Sequence, residues 1–407
     1  MTEKVLQFGE GNFLRAFVDH FIDQLNEQKL FDGSIVIVQP IAKGLVDKLN
    51  AQNSQYTVLL RDANTVDKRL ITSVSRGINP YTNFNEYLEC AKNPDLCYVF
   101  SNTTEAGIAF VEDDKLEDKP PSSFPAKVTV FLYERYKHCK KGLVFVPCEL
   151  IDNNGTMLKK YILQYAQKWK LPTDFINWIE NENHFTNTLV DRIVSGHPKD
   201  EAHDDKMLVA AETFQFFAIE AAEDLFEELP LHKVGAILTN DVNPYKTRKV
   251  RILNGAHTMS NAAAILCGKQ TVGEMMDDPL FVEFLRKGIF NEIIPTLDLD
   301  LKDLENFAES VLERFANPYI KHFLKDISLN SESKFEVRVL PSIIEYHKRA
   351  GQLPILLTLS YAALVKFCGA NLEIPIPGFN QKVEEYIREI DEIGMEALLK
   401  KVVAECS

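Results

Sequence analysis

The chain has 407 residues, more than one ordinary core fills, so two domains are expected. Hydrophobic residues make up 45% and charged residues 26%, the balance of a globular protein rather than a disordered or fibrous one. A net charge of -14 argues against nucleic acid or an anionic membrane as the main partner, but leaves a small anionic substrate open.

Seven cysteines are scattered without a CxxC pair, which predicts reduced thiols in a cytoplasmic protein and offers no zinc cage. The first residues run straight into a strand, so no signal peptide is expected. No apolar run reaches about 18 residues, so no membrane span is expected either.

Val5 to Phe8 reads as a short buried strand, and Gly9-Glu10-Gly11 follows at once. Asn12 to Leu25 then has helical periodicity, with Phe13, Phe17, Phe21 and Leu25 spaced by four. Strand, glycine turn and helix form the opening unit of a dinucleotide fold, in which the backbone approaches a pyrophosphate. Phe8, Gly9, Gly11, Asn12 and Phe13 are therefore candidate cofactor contacts. The fingerprint is incomplete, because Leu14 stands where a third glycine is usual.

Ser34 to Val38 is a second strand, apolar throughout as parallel strands buried on both faces are. It ends in Gln39-Pro40, where the ribose-binding acid of an NAD site is usual; Gln39 is the candidate there. No acid and no obvious arginine follow, so these residues alone leave NAD against NADP open. Tyr56–Leu60 and Leu70–Val74 read as strands of an insertion, Asn85–Cys90 as a helix, and Cys97–Phe100 as another buried strand. Small polar residues come next, and Thr103 and Glu105 are candidate cofactor contacts at the carboxyl edge of the sheet. Lys127–Lys137 is predicted helical, Leu143–Pro147 a strand, Met157–Lys168 a helix, and Asn187–Ser195 a loop or short strand. Strand-like runs surround Glu212.

After Pro244 strand patterns nearly vanish. Helices are predicted over Pro244–Cys267, Val272–Met276, Pro279–Phe290, Leu301–Phe315, Ile320–Leu324, Phe335–Ala350, Pro354–Cys368 and Gln381–Val403. The expected architecture is an α/β Rossmann-type dinucleotide-binding domain over residues 1–240, followed by an all-α substrate and catalytic domain over 241–407.

The first of these helices carries the chemistry. Asn243 and Pro244 suit its start and Gly268 its end. Lys249, Asn254 and His257 fall on one broad face: at 100° per residue, Asn254 lies about 140° and His257 about 80° round from Lys249. A lysine, an amide and an imidazole that converge can bind a carbonyl oxygen and move its proton. Equally, lysines and histidines on long helices commonly face solvent.

The K-x4-N-x2-H spacing of these three residues resembles the signature of the mannitol dehydrogenase family of polyol-specific long-chain dehydrogenases. Gly9-Glu10-Gly11-Asn12-Phe13-Leu14-Arg15, Thr104-Glu105-Ala106-Gly107, Val190-Asp191-Arg192-Ile193, Asp241-Val242-Asn243-Pro244-Tyr245 and Arg338-Val339-Leu340-Pro341 are similar to the same family. Within it, the QFGEGNFLRAFVD opening and the RKVRILNGAHT helix look most like the branch that reduces the keto group of a hexuronate. The resemblance implies metal-independent hydride transfer with NAD, Lys249 as general acid/base, and Asn254 and His257 holding the reacting oxygen. Two departures stand out. Where the mannitol enzymes have Cys-Asp-Asn, this chain has Cys148-Glu149-Leu150, so Asn153 or water is the expected replacement for the lost amide. Where they have a glutamate three residues before the lysine, this chain has Lys246.

Ketone reduction needs a proton donor and stabilisation of the developing alkoxide. In the oxidative direction Lys249 must be neutral, which asks its pKa to fall from about 10.4 toward roughly 7–8. Burial, Lys246 one turn away and the helix N-terminus all push that way. A sugar-acid substrate also needs a cation for its carboxylate, and Lys246 and Arg338 are the candidates. Other expectations stay open: a second hexuronate or a neutral polyol as substrate, a non-catalytic dinucleotide sensor, and a monomer or homodimer.

Overall fold

A computed structural model describes residues 1–104, 107–198 and 204–406. The chain divides into two compact units, Met1–Val242 and Asn243–Ser407.

The first unit is built on six parallel strands: β1 (Thr2–Phe8), β2 (Gly33–Val38), β3 (Val74–Ile78), β4 (Tyr98–Ser101), β5 (Val144–Pro147) and β6 (His184–Phe185). They lie in the order β3-β2-β1-β4-β5-β6, the doubly wound Rossmann order. Alternate side chains of each strand feed two cores. Val5, Ile35, Ile37 and Phe100 join Phe17, Phe21 and Phe217 on one face. Leu6, Val36, Val38 and Phe145 join Tyr87, Phe131, Ile162 and Ile179 on the other. Because both faces are covered, the central segments of β1, β2, β4 and β5 are mostly apolar, which made them readable in the sequence.

Two smaller sheets flank this one. Tyr56–Arg61 pairs antiparallel with Val66–Ile71 and parallel with Val209–Ala211, which pairs in turn with Val194–Gly196. Thr188–Asp191, Phe216–Glu220 and Ile237–Thr239 form the other. The expected Leu70–Val74 strand is in fact the end of one hairpin arm and the start of β3. The helix expected over Asn12–Leu25 is broken at Ala16 and Phe17 into Asn12–Arg15 and Val18–Glu27. Thr173–Glu182 is a helix that its short apolar pattern did not reveal.

The second unit is almost wholly helical. Leu301–Phe315 has the expected bounds. Ile320–Phe323 is not helical; a one-turn α-helix, Leu324–Ile327, begins at the last residue of the expected stretch instead. Phe335–Ala350 is two helices, Ser331–Arg338 and Leu340–Ala350, separated at Val339. Gln381–Val403 is likewise two, Phe379–Ile393 and Met395–Glu405, because Gly394 adopts φ +84° and stops the first. The Pro279 helix ends at Lys287 and continues as a π turn, Gly288–Ile293.

Candidate active site

In the first unit the crevice lies where strand order reverses, between the carboxyl ends of β1 and β4. Gly9 follows β1 at φ +124°, and a Cβ there would come within 3.0 Å of the Asn102 carbonyl and 3.1 Å of Leu14 Cδ1. Only glycine fits that approach. Gly11, two residues on, has open space where a side chain would be. This cradle fits a dinucleotide: one glycine lets the two strand ends close, and the other leaves room above the turn.

The turn is braced from beneath by Arg15, the last residue of the Gly9–Arg15 motif. Arg15 is 3% exposed, donates to the carbonyls of Glu10 and Met207 and to Asn12 Oδ1, and sits over the Tyr56 ring. The Tyr56 hydroxyl donates to Asp19, whose burial pushes its carboxyl up to about 7.

Several cofactor candidates act differently from expectation. Phe8 is fully buried against Tyr87 and Phe124, so its side chain belongs to the core. Phe13 stacks on Phe17 with centroids 4.8 Å apart. The Gln39 amide is spent locally, donating to the Ile41 and Ala42 carbonyls and accepting from Val46 N–H, so it closes its own loop. Asn12 is exposed beside the turn. Thr103 lies at the crevice, but its hydroxyl and N–H both donate to Glu149 Oε1 at 3.0 Å. Glu105 lies outside the described residues.

Glu149 also accepts from Ser101 Oγ at 3.0 Å and is 2% exposed. Its carboxylate therefore fixes the loop after β4, and burial raises its pKa. The next residue, Leu150, is 58% exposed. Asn153, the expected substitute for the missing amide, is an exposed left-handed residue at the start of helix Asn154–Lys168. Asn154 is the buried amide here: it donates to the Pro147 and Glu149 carbonyls and accepts from Thr188 N–H.

In the second unit the rod from Asn243 to Leu266 is not one α-helix. Asn243–Arg248 is α, Lys249–Asn254 is π, and Gly255–Leu266 is α again. The Gly255 N–H bonds the Val250 carbonyl, five residues back. In an α-helix the bonded residue, four on, lies about 40° past a full turn. In a π turn the bonded residue is the fifth, so Asn254 takes that relation to Lys249 instead of lying about 140° round. His257, three α residues on, comes back by about 60°. The π turn thus narrows the arc that holds Lys249, Asn254 and His257 from about 140° to about 60°. The rod ends as expected at Gly268, φ +80°, with Gly268 N–H on Ile265 and Lys269 N–H on Ala264.

The His257 ring stacks on Phe315 at 4.0 Å and meets the edge of His322 at 5.0 Å. Burial, then the nearby His322, Arg314, Arg338 and Lys334, hold its pKa well below the usual histidine value, so the imidazole is neutral. Its Nδ1 is buried without a protein partner. Arg338 Nη1 donates to Thr258 Oγ1, beside His257, at 3.4 Å. Gly255 faces the Arg338 carbonyl, where an added Cβ would lie at 3.4 Å, an ordinary van der Waals contact. The structure brings Arg338 to the His257 end of the cluster, whereas Lys246 lies a turn below Lys249, roughly 16 Å along the rod from His257 at α-helical rise. Arg251, inside the π turn and not anticipated, donates to Ser342 Oγ at 2.9 Å.

Residues 3–233 match the model of the mannitol dehydrogenase Rossmann domain, and 241–405 that of the mannitol dehydrogenase C-terminal domain. The altronate oxidoreductase of Pectobacterium carotovorum subsp. carotovorum (strain PC1) is 48% identical over 384 residues, covering 90% of this chain and 79% of that one. The altronate oxidoreductase of Shigella flexneri is 46% identical over 385 residues, covering 90% and 80%. Among solved structures, D-sorbitol dehydrogenase in substrate-free form superposes with a TM-score of 0.81 at 20% identity, covering 99% of this chain and 95% of that one. Pseudomonas fluorescens mannitol 2-dehydrogenase in complex with NAD and D-mannitol gives 0.69 at 22% identity, covering 99% and 92%. Both likenesses concern the fold.

Proposed function

The chain belongs to the mannitol dehydrogenase family, and from that membership we propose that it is an NAD-dependent altronate oxidoreductase, which interconverts D-altronate and its keto acid D-tagaturonate. The observation that carries the chemistry is the π turn, which gathers Lys249, Asn254 and His257 into one narrow arc.

Gly9, Gly11 and the Asn102–Thr103 loop are the residues that would hold the dinucleotide, and the bound group would supply or accept the hydride. The remaining work falls to the chain's own side chains. Lys249 gives a proton to the ketone oxygen in reduction and takes it back from the hydroxyl in oxidation. Asn254 donates its amide N–H to the same oxygen and so orients the carbonyl. A neutral His257 donates one ring N–H without competing for the proton that Lys249 carries.

The cations around His257 support an acidic substrate. Burial is the main cause of its lowered pKa, with His322 next, and Arg314, Arg338 and Lys334 add positive charge nearby, which suits a carboxylate. Arg338 is the favoured carboxylate partner over Lys246 and Asn153, because it lies beside His257. The scattered thiols fit action in the cytoplasm.

The deciding assay follows NADH oxidation with D-tagaturonate, D-fructuronate and D-fructose in parallel. The reading expects kcat/KM highest for tagaturonate. Equal or higher values with fructuronate or fructose refute the substrate assignment, and NADH binding without turnover on any of the three refutes the enzyme reading.

A further inference from the structure

A Rossmann site usually places an acid at the end of its second strand, where it accepts from the adenosine ribose hydroxyls and rejects a 2′-phosphate. Here the loop after β2, Gln39-Pro40-Ile41-Ala42-Lys43-Gly44-Leu45, contains no acid. Gln39 cannot replace it, because both ends of its amide are bound within the loop.

A carboxylate reaches this loop from elsewhere. Glu10, the middle residue of the glycine turn, is 6% exposed and accepts from the Leu45 N–H at 3.0 Å. Gly44 closes down on it: a Cβ at that position would lie 2.1 Å from Glu10 Oε1 and 2.4 Å from Gln39 Cδ. The Glu10 backbone is held as well, since Arg15 Nε donates to its carbonyl at 3.0 Å. The geometry thus fixes a carboxylate at the end of β2 from the β1 side.

We propose that Glu10 is the residue that selects NAD over NADP, standing in for the missing acid of β2. The inference rests on the dinucleotide reading of the Gly9–Gly11 turn. A carboxylate accepts from a ribose diol, and it repels a 2′-phosphate in a site where both charges lose much of their water. Lys43, exposed in the same loop, is the residue that opposes this preference.

Glu10→Gln tests the charge while keeping the hydrogen bond, since the amide oxygen still accepts from Leu45 N–H. Direct titration of the enzyme with NADH and NADPH, read by nicotinamide fluorescence, gives the ratio of their Kd values. The wild-type protein should favour NADH, and Glu10→Gln should shift the ratio toward NADPH by about tenfold or more, since a single charge contact at this depth is worth at least that. ADP-ribose and 2′-phospho-ADP-ribose, titrated calorimetrically, should show the same shift without the nicotinamide end. An unchanged ratio in Glu10→Gln overturns the role of Glu10 and leaves the dinucleotide reading intact. A wild-type protein that binds neither dinucleotide overturns both.

Discussion

Replacing Glu149 with alanine should damage the cofactor crevice through the loop after β4. The carboxylate is 2% exposed and accepts from Ser101 Oγ, Thr103 N and Thr103 Oγ1, each at 3.0 Å. Removing it strands three donors. The Thr103 N–H has no freedom to turn away, and an unsatisfied buried donor costs roughly 1–3 kcal/mol. The two hydroxyls rotate and recover part of their loss. Against this, the variant is relieved of burying a charge, a cost expressed in the raised pKa of Glu149. The net destabilisation is about 3 kcal/mol, toward the lower end for breaking a buried charged network. Both tryptophans, Trp169 and Trp178, lie in the first unit, so their fluorescence in a urea titration reports that unit selectively. Glu149→Ala should lower the midpoint strongly and weaken NADH binding about tenfold or more as the Asn102–Thr103 loop loosens. Glu149→Gln, which keeps one acceptor, should fall between. A Glu149→Ala protein within about 1 kcal/mol of wild type, with normal NADH affinity, refutes the idea that this carboxylate holds the loop.

Three further outcomes are expected. Lys249→Ala should lower kcat by about 10²–10⁴ while NADH titration gives an unchanged Kd; near-normal turnover removes Lys249 from the chemistry. Arg338→Gln should raise KM for the uronate while sparing any residual activity on a neutral ketose. Lys246→Glu should do so less, and the reverse ranking returns the carboxylate to Lys246. Glu292 is buried in the second π turn, where it accepts from Leu356 N–H and Leu357 N–H, and burial lifts its pKa from 4.5 to about 7. A folded pKa above the unfolded one means that its contribution to stability is complete below pH 4.5 and is lost as pH rises through about 7. Stability by circular dichroism should therefore fall over that window by up to roughly 3 kcal/mol from this group, and Glu292→Gln should flatten the slope. A slope unchanged in the variant assigns it to other groups.

Much of the fold is legible in the amino-acid sequence. β1, β2, β4 and β5 are short apolar runs because helices cover both faces of the sheet, and burial on both sides leaves no polar alternation to confuse. Leu301–Phe315 was equally plain, a single amphipathic stripe, and the structure caps its start with the Asp300 side chain, which accepts from Asp303 N–H. The breaks inside helical patterns were harder. Gly394 carried a visible stop signal, but the apolar spacing on either side runs through it. The interruption at Ala16–Phe17 has no glycine or proline to mark it; Phe17 leaves the helix while staying buried against Phe21 and Phe217.

The sequence by itself determined the chemical inventory: a glycine turn after a buried strand, and a lysine, an amide and an imidazole on one later helix. It also determined the order of the two units, because residue type and local periodicity are properties of neighbours along the chain. Tertiary structure decided how those groups are held. The π turn cannot be seen in side-chain spacing, since the shift from i→i+4 to i→i+5 bonding lies in the backbone. Whether Gln39 is available or spent depends on where the Ile41 and Ala42 carbonyls turn. Glu10 and Leu45 are 35 positions apart, and only the parallel pairing of β1 with β2 brings the carboxylate to the loop that lacks one. Contacts of that range arise from packing, so no local pattern in the chain announces them.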